Sequence, residues 1–227
     1  MLFRSGYDRL VSESESSAQA NAEGLAEFAD GDRFVWAPPI LDAQRIRASA
    51  ELPPPKTLVP TESVTTFAWA GRLAPANAVR ELIRGFARVH AELPATRLAI
   101  VGGGPLAAEL KELAAALTLT DSVIFAGYRA NPYPSIAAAD CVVAAGAGDR
   151  GRALALEAGI LGVPAVGEGL DSENALATAM LEYLRAPRTD SAEPPIDSRR
   201  SGEAIRLFYQ AIGADEASRQ DAVAATN

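Results

Sequence analysis

Cysteine, histidine and lysine are nearly missing from this chain of 227 residues, which has one cysteine, one histidine and two lysines among its 21 basic side chains. Cys141 alone cannot close an internal disulfide, and one thiol with one imidazole cannot furnish a structural zinc site. A reducing, cytoplasmic setting is therefore expected. The lone His90 excludes multi-histidine metal centres and leaves a Ser-His-Asp mechanism only one candidate base. His90 falls within a helical stretch rather than a strand-end loop, so a surface or hydrogen-bond-satisfied role is expected for it. No uninterrupted apolar run reaches the roughly 18 residues of a membrane span, and MLFRSGYDRL has neither the apolar core nor the cleavage site of a secretory leader. Cationic surface is scarce too. With 29 acidic against 21 basic residues, the net charge is −8, which gives nucleic-acid phosphates nothing to bind.

What is present is a globular composition. Apolar residues make up 48% and charged residues 22%, enough to bury a core. Short apolar runs bounded by glycine recur at TTFAWAG (65–71), RLAIVGG (97–103), SVIFAGY (122–128), CVVAAG (141–146) and VPAVGE (163–168). Amphipathic stretches at 79–93, 105–117, 132–139, 151–162 and 173–184 separate and follow them. Buried strands alternating with helices predict an α/β domain, a doubly wound parallel Rossmann-like sheet, over residues 61–187. Residues 7–30 read as a strand end and a polar helix, and RFVWAPPIL (33–41) as one more strand, within a separate segment 1–47. The four prolines of 48–60 read as a linker. A proline-rich stretch and a last helix, 202–213, occupy 188–227.

In an open parallel sheet, ligands bind at the carboxyl ends of the strands. Three unusual loops fall there: Gly71-Arg72-Leu73, Gly102-Gly103-Gly104-Pro105, and the run from Gly146 through Asp149, Arg150 and Gly151 to Arg152. The last two precede helix starts, where free amides and the dipole favour an anion. Arg72, Arg150 and Arg152 add cations suited to a diphosphate. The Glu157 carboxylate is placed to accept hydrogen bonds from a vicinal diol such as ribose. Together these features describe a nucleotide-diphosphate pocket. The run Gly102 to Ala107 also satisfies the dinucleotide fingerprint Gly-x-Gly-x-x-Ala. The acid that fingerprint requires on the following strand is missing from FAGYRA (125–130), so an NAD or FAD domain is the weaker alternative.

The order of these motifs resembles the nucleotide-sugar-binding half of group 1 (family 4) glycosyltransferases with the GT-B fold. The resemblance runs from AGRLAPANAVRELIRGFARVHAELPATRLAIVGGGPLAAELKELAAALTLTDSVIFAGY through ADCVVAAGAGDRGRALALEAGILGVPAV. It implies a retaining hexosyl transfer from a nucleotide-diphosphate sugar to a carbohydrate or lipid acceptor, with no metal ion or cofactor and with peripheral membrane association compatible with the intact enzyme. By position, Arg72 matches the arginine that grips the donor diphosphate. Gly71, Gly102, Gly103 and Gly104 match glycines that admit the donor close to the backbone. Asp149 falls where a glutamate contacts the transferred sugar, and Glu157 matches the glutamate that binds the ribose. The amides of Arg152, Ala153 and Leu154 match the helix start that faces the phosphates.

Several positions depart from the family pattern. The family lysine is Asn77 here and the glycine after it is Ala78, so Asn77 is expected to cap the following helix instead. The Gly-Gly-x-x-Glu loop and the strand that normally follow VPAVGE are absent. Residues 6–40 resemble only the end of the acceptor domain, whose remainder would add ~100–200 residues. The opening LFRS is what the adaptor-like codons CTC-TTC-CGA-TCT encode, and a reading frame truncated at its start is expected. A nucleotide-sugar-binding module without turnover is accordingly a second alternative.

Overall fold

The computed structural model describes residues 10–12, 34–36, 41–61, 63–146 and 149–186, together with Gln19 and Glu23. The chain divides into two compact units, residues 1–43 with 197–227, and residues 44–196. In the first, strands β1 (Leu10–Ser12) and β2 (Phe34–Trp36) pair in parallel, Leu10 opposite Phe34 and Ser12 opposite Trp36. Parallel neighbours need a crossover connection. Gln19 and Glu23 lie in that connection and are both helical, joined by a hydrogen bond of 3.1 Å from Gln19 Nε2 to Glu23 Oε1. The remainder of the strand end and polar helix expected over 7–30, and the expected helix at 202–213, lie outside the described residues.

The second unit is the α/β domain. Five parallel strands are ordered β5-β4-β3-β6-β7, comprising β3 (Thr65–Ala70), β4 (Thr96–Val101), β5 (Val123–Gly127), β6 (Cys141–Val143) and β7 (Ala165–Val166). Helices α2 (Val79–Glu92), α3 (Ala107–Ala116), α4 (Tyr133–Ala137) and α5 (Asp149–Ile160) connect them, and α6 (Glu173–Arg185) follows β7. From β3 the chain winds one way through β4 and β5, then returns to lay β6 and β7 on the other side. With right-handed crossovers, this reversal puts α2 and α3 on one face of the sheet and α5 on the other. The sheet is the parallel Rossmann-like sheet that the alternating runs predict. Helix α1 (Ala43–Ala50) was not foreseen. It overlaps the stretch read as a linker, and its buried apolar positions are only Ala43 and Ile46, 6% and 4% exposed.

The core explains the pattern of the sequence. In β3, Phe67, Ala68 and Trp69 have no exposure at all, as expected of a central strand covered on both faces. Val79, Leu82, Ile83, Phe86 and Val89 recur at helical spacing and form the buried stripe of α2. Gly85 lies on the same helix, where a Cβ would stand 2.8 Å from the Glu173 carbonyl, so α6 packs against bare backbone. Leu176, Ala177 and Met180 complete that contact from α6. His90 stacks on Phe86, and its ring nitrogens meet Thr96 Oγ1 at 3.2 Å and Ser122 Oγ at 2.8 Å, which fixes it as a satisfied structural residue. Cys141 opens β6, and burial, aided by Asp140, pushes its thiol pKa up to about 12. No helix among the described residues is long and apolar enough to cross a membrane.

Candidate functional site

The winding reverses between β3 and β6, so the crevice expected to hold a ligand opens at the carboxyl ends of these two strands. Trp69 ties the two ends together. Its ring is fully buried and its indole N–H donates to the Ala145 carbonyl just beyond β6, at 3.4 Å. Beyond β3 the backbone keeps pairing with the loop after β4. Gly71 N–H donates to Val101 O at 2.9 Å, Leu73 N–H to Gly103 O at 3.0 Å, and Leu106 N–H to Leu73 O at 3.2 Å.

This pairing gives the glycine run a physical cause. Gly102 has φ +151°, and a Cβ there would stand 1.8 Å from the Gly71 carbonyl oxygen. A Cβ on Gly104 would stand 2.4 Å from the carbonyl oxygen of Leu73. Both glycines are therefore required by the chain's own backbone, before any ligand is considered. Gly103 differs: its nearest neighbour would be the Cβ of Tyr128 at 3.3 Å, and that side chain is 78% exposed. The loop follows β4, one strand away from the reversal, whereas the dinucleotide fingerprint belongs to the first strand of its unit.

Arg72 is exposed between these pairings and makes no ion pair among the described residues. Its backbone is held in place, because Asn77 Nδ2 donates to the Arg72 carbonyl at 2.6 Å and Ala74 N–H donates to it at 2.9 Å. Asn77 is thus not the cap of α2, contrary to expectation. The cap position is Ala78, in the left-handed region at φ 49°, ψ 29°, with no side-chain cap. The backbone turns at Ala78 in a conformation natural to the glycine it replaces. The Asn77 amide is engaged with the strand end, so it does not reach outward as a longer cation would.

On the other side of the crevice, Gly146 has φ +113°, its N–H donates to Leu170 O at 2.8 Å, and the Asn77 backbone lies 3.4 Å from where its Cβ would be. Helix α5 begins at Asp149, two residues before the expected 151. Its first turn rests on the end of β6, where a Cβ on Gly151 would meet the carbonyls of Ala144 at 2.6 Å and Gly146 at 2.8 Å. In α-helical geometry the residue before the first helical one already accepts the first intrahelical bond, so within α5 the amides without an intrahelical partner are those of residues 149–151. The amides of Arg152, Ala153 and Leu154 sit inside the helix. The Leu154 side chain is core, at 2% exposure. Arg150 and Arg152 are exposed. The role expected of the Asp149 carboxylate lies outside the described residues.

Glu157 lies two turns further along α5 and is only partly exposed. Desolvation raises its pKa above the ordinary carboxylate value, while Arg150 and a hydrogen bond from Tyr133 work against that shift. Tyr133 Oη stands 3.5 Å from Glu157 Oε1, at the outer limit of hydrogen bonding. Tyr133 is raised in turn, by burial first and then by the negative charge of Glu157. Nothing local in the sequence links these two residues; only the fold brings α4 and α5 together. An exposed guanidinium beyond β3, free amides opening α5 and a half-buried carboxylate along it are complementary to an anion that also carries hydroxyls.

Comparison with known proteins agrees with this architecture. The sequence pattern of the family "Glycosyl transferases group 1" matches residues 64–186. The chain belongs to the group 1 glycosyl transferases. No curated protein matches it. Among solved structures, HepE of Anabaena, described in complex with UDP and glucose, is 17% identical at a TM-score of 0.60, covering 96% of this chain and 62% of its own. A glycosyltransferase of Rickettsia africae is 16% identical at a TM-score of 0.64, with 90% and 60% covered. The C-terminal domain of the group 1 family protein LpcC of Francisella tularensis is 17% identical at a TM-score of 0.51, with 76% and 96% covered. These likenesses establish the fold as that of GT-B glycosyltransferases. This group 1 family chain spans about three fifths of the first two relatives, and nearly all of the isolated domain.

Proposed function

We propose that this chain carries the donor-binding half of a retaining glycosyltransferase, one that transfers a hexose from a nucleotide-diphosphate sugar to a carbohydrate or lipid acceptor. The observation that carries the proposal is the reversal between β3 and β6 in a chain of this family, with Arg72 just past one strand and the free amides of α5 past the other. In this reading Arg72 pairs with the donor diphosphate and neutralises the charge that develops as it leaves. The first-turn amides of α5 hold the same phosphates. Glu157 accepts hydrogen bonds from the ribose diol, and Asp149 contacts the sugar being moved. No metal is assigned to these steps. The domain assignment follows: 61–187 binds the donor, 1–47 belongs to the acceptor side, 48–60 links them, and 188–227 is a linker with a closing helix. By itself the chain is proposed to bind donor without sustained transfer, because the family's acceptor-side groups match nothing between residues 61 and 187.

A second reading, a binding module without turnover, is favoured by one observation, the Asn77 amide tied to the Arg72 carbonyl where the family pattern has a lysine. Calorimetric titration with UDP, GDP and NADH tests the shared core of both readings. Binding of UDP or GDP without NADH is expected. Binding of NADH alone would overturn both and restore the dinucleotide alternative. Assay of sugar transfer by the intact protein separates the two.

A further inference from the structure

Apart from the donor crevice, the α/β unit has a cavity of about 420 Å³ bounded on one side by the proline run 53–55 with Lys56 and Thr57, and on the other by Arg129 and Ser135. Its polar character is unusual for this protein. The chain is acidic, yet among the described residues no carboxylate lines this cavity and both charged residues that do are cations. Neither Lys56 nor Arg129 makes an ion pair among the described residues. Ser135 is 3% exposed; its backbone N–H donates to Pro132 O at 2.9 Å, and its hydroxyl has no hydrogen bond among the described residues. A buried hydroxyl without a protein partner is uncommon and costly, and this one borders the cavity. The walls are held in position. Three consecutive prolines fix one of them. Asn131 fixes the other, its Nδ2 donating to Ser49 O at 2.8 Å and its Oδ1 accepting from Tyr133 N–H at 3.2 Å.

We infer that this cavity is an anion site, distinct from the donor crevice, that takes a small phosphomonoester such as a sugar phosphate. Two cations and two hydroxyl donors (Ser135 and Thr57) with no competing acid suit a dianionic oxyanion better than a neutral sugar or a single carboxylate. The flat proline faces suit the compact body that carries it. The site does not depend on the role proposed for Arg72 or Glu157.

Glucose 6-phosphate is the probe, with glucose as the neutral control and inorganic phosphate as the test of the anion alone. Binding is followed by thermal shift and calorimetry on the full chain. Glucose 6-phosphate should bind and glucose should not, and Lys56→Gln and Arg129→Gln should each weaken it about five- to tenfold. Ser135→Ala should leave the ligand-free melting temperature unchanged or raised while shrinking the shift produced by the ligand. A role in folding alone would do the opposite. Arg72→Ala should leave glucose 6-phosphate binding intact, and Arg129→Gln should leave UDP binding intact. The inference is overturned if glucose 6-phosphate does not bind, if Lys56→Gln and Arg129→Gln bind it as the parent does, or if Ser135→Ala lowers the ligand-free melting temperature. Loss of its binding in Arg72→Ala, or of UDP binding in Arg129→Gln, would merge the cavity with the donor crevice and equally overturn it.

Discussion

Substituting Gly102 by alanine isolates the contact on which the crevice is built. The added Cβ would stand 1.8 Å from the Gly71 carbonyl oxygen and 3.0 Å from its carbon, at φ +151°. Both atoms are backbone, in a segment held at 2.9 Å on each side by Gly71 N–H to Val101 O and Gly102 N–H to Gly127 O. No side-chain rotation can relieve the overlap, so the strand end must move. An alanine in this region of φ costs about 1–3 kcal/mol. Overpacking adds about 1–3 kcal/mol, and each loosened hydrogen bond about 1 kcal/mol. With one bond loosened the total is roughly 3–7 kcal/mol, a large part of the ~5–15 kcal/mol that holds a typical domain together. Gly103→Ala is the matched control, since its Cβ would come no nearer than 3.3 Å to any atom beyond its chain neighbours, that one being the Cβ of the exposed Tyr128. It should cost about 1 kcal/mol or less. Urea unfolding measures both, and with a slope of ~1–3 kcal/mol per molar the Gly102 variant should lose at least 1 M in midpoint. Equal midpoints for the two variants would refute the claim that backbone approach dictates Gly102.

Other outcomes follow from the same geometry. Burial raises the Glu157 pKa, so the folded state holds its proton over a pH range where the unfolded chain has released it; stability therefore falls as pH rises from the unfolded carboxylate pKa to the raised folded one. Glu157→Gln should raise the melting temperature at neutral pH, and the gain should vanish below the carboxylate range; a gain independent of pH would argue against a desolvated carboxylate. The Cys141 thiol, buried and raised to about 12, should resist alkylation at pH 8 in the native chain and react once urea unfolds it; mass spectrometry reads both states. Asn77→Ala removes the amide bond to the Arg72 carbonyl and should weaken nucleoside diphosphate binding without lowering the melting temperature by more than a few degrees, as paired calorimetry and thermal scans would record.

Much of the fold could be read from spacing. The strands from Thr65 to Val166 and the helices between them fall within a few residues of the apolar runs, because the central strands β3, β4 and β6 are buried on both faces and glycines follow or close the strands. Helix α1 escaped because the prolines at 53–55 dominate its neighbourhood and its buried side carries only Ala43 and Ile46. The candidate site was legible as a set of residue types at strand ends, and less so as a set of contacts. A glycine run announces a close approach without saying what approaches, and for Gly102 and Gly104 it is the backbone of Gly71 and Leu73. Asn77 before a helix looks like a cap, yet the chain turns one residue later, at Ala78, and sends the amide back to Arg72. The coupling of Tyr133 to Glu157 spans 24 residues and exists only in three dimensions.

The donor crevice itself is tested most directly by calorimetric titration of Arg72→Ala and Glu157→Ala with a nucleoside and its diphosphate. Glu157→Ala should weaken uridine and UDP, or guanosine and GDP, alike, because both members of each pair carry the ribose. The loss of a charged hydrogen-bond partner, about 1.5–3 kcal/mol, corresponds to roughly ten- to a hundredfold. Arg72→Ala should weaken only the diphosphate, and by less as salt is added. Equal loss of nucleoside and diphosphate affinity in Arg72→Ala would contradict the placement of the phosphates beside residues 71–73.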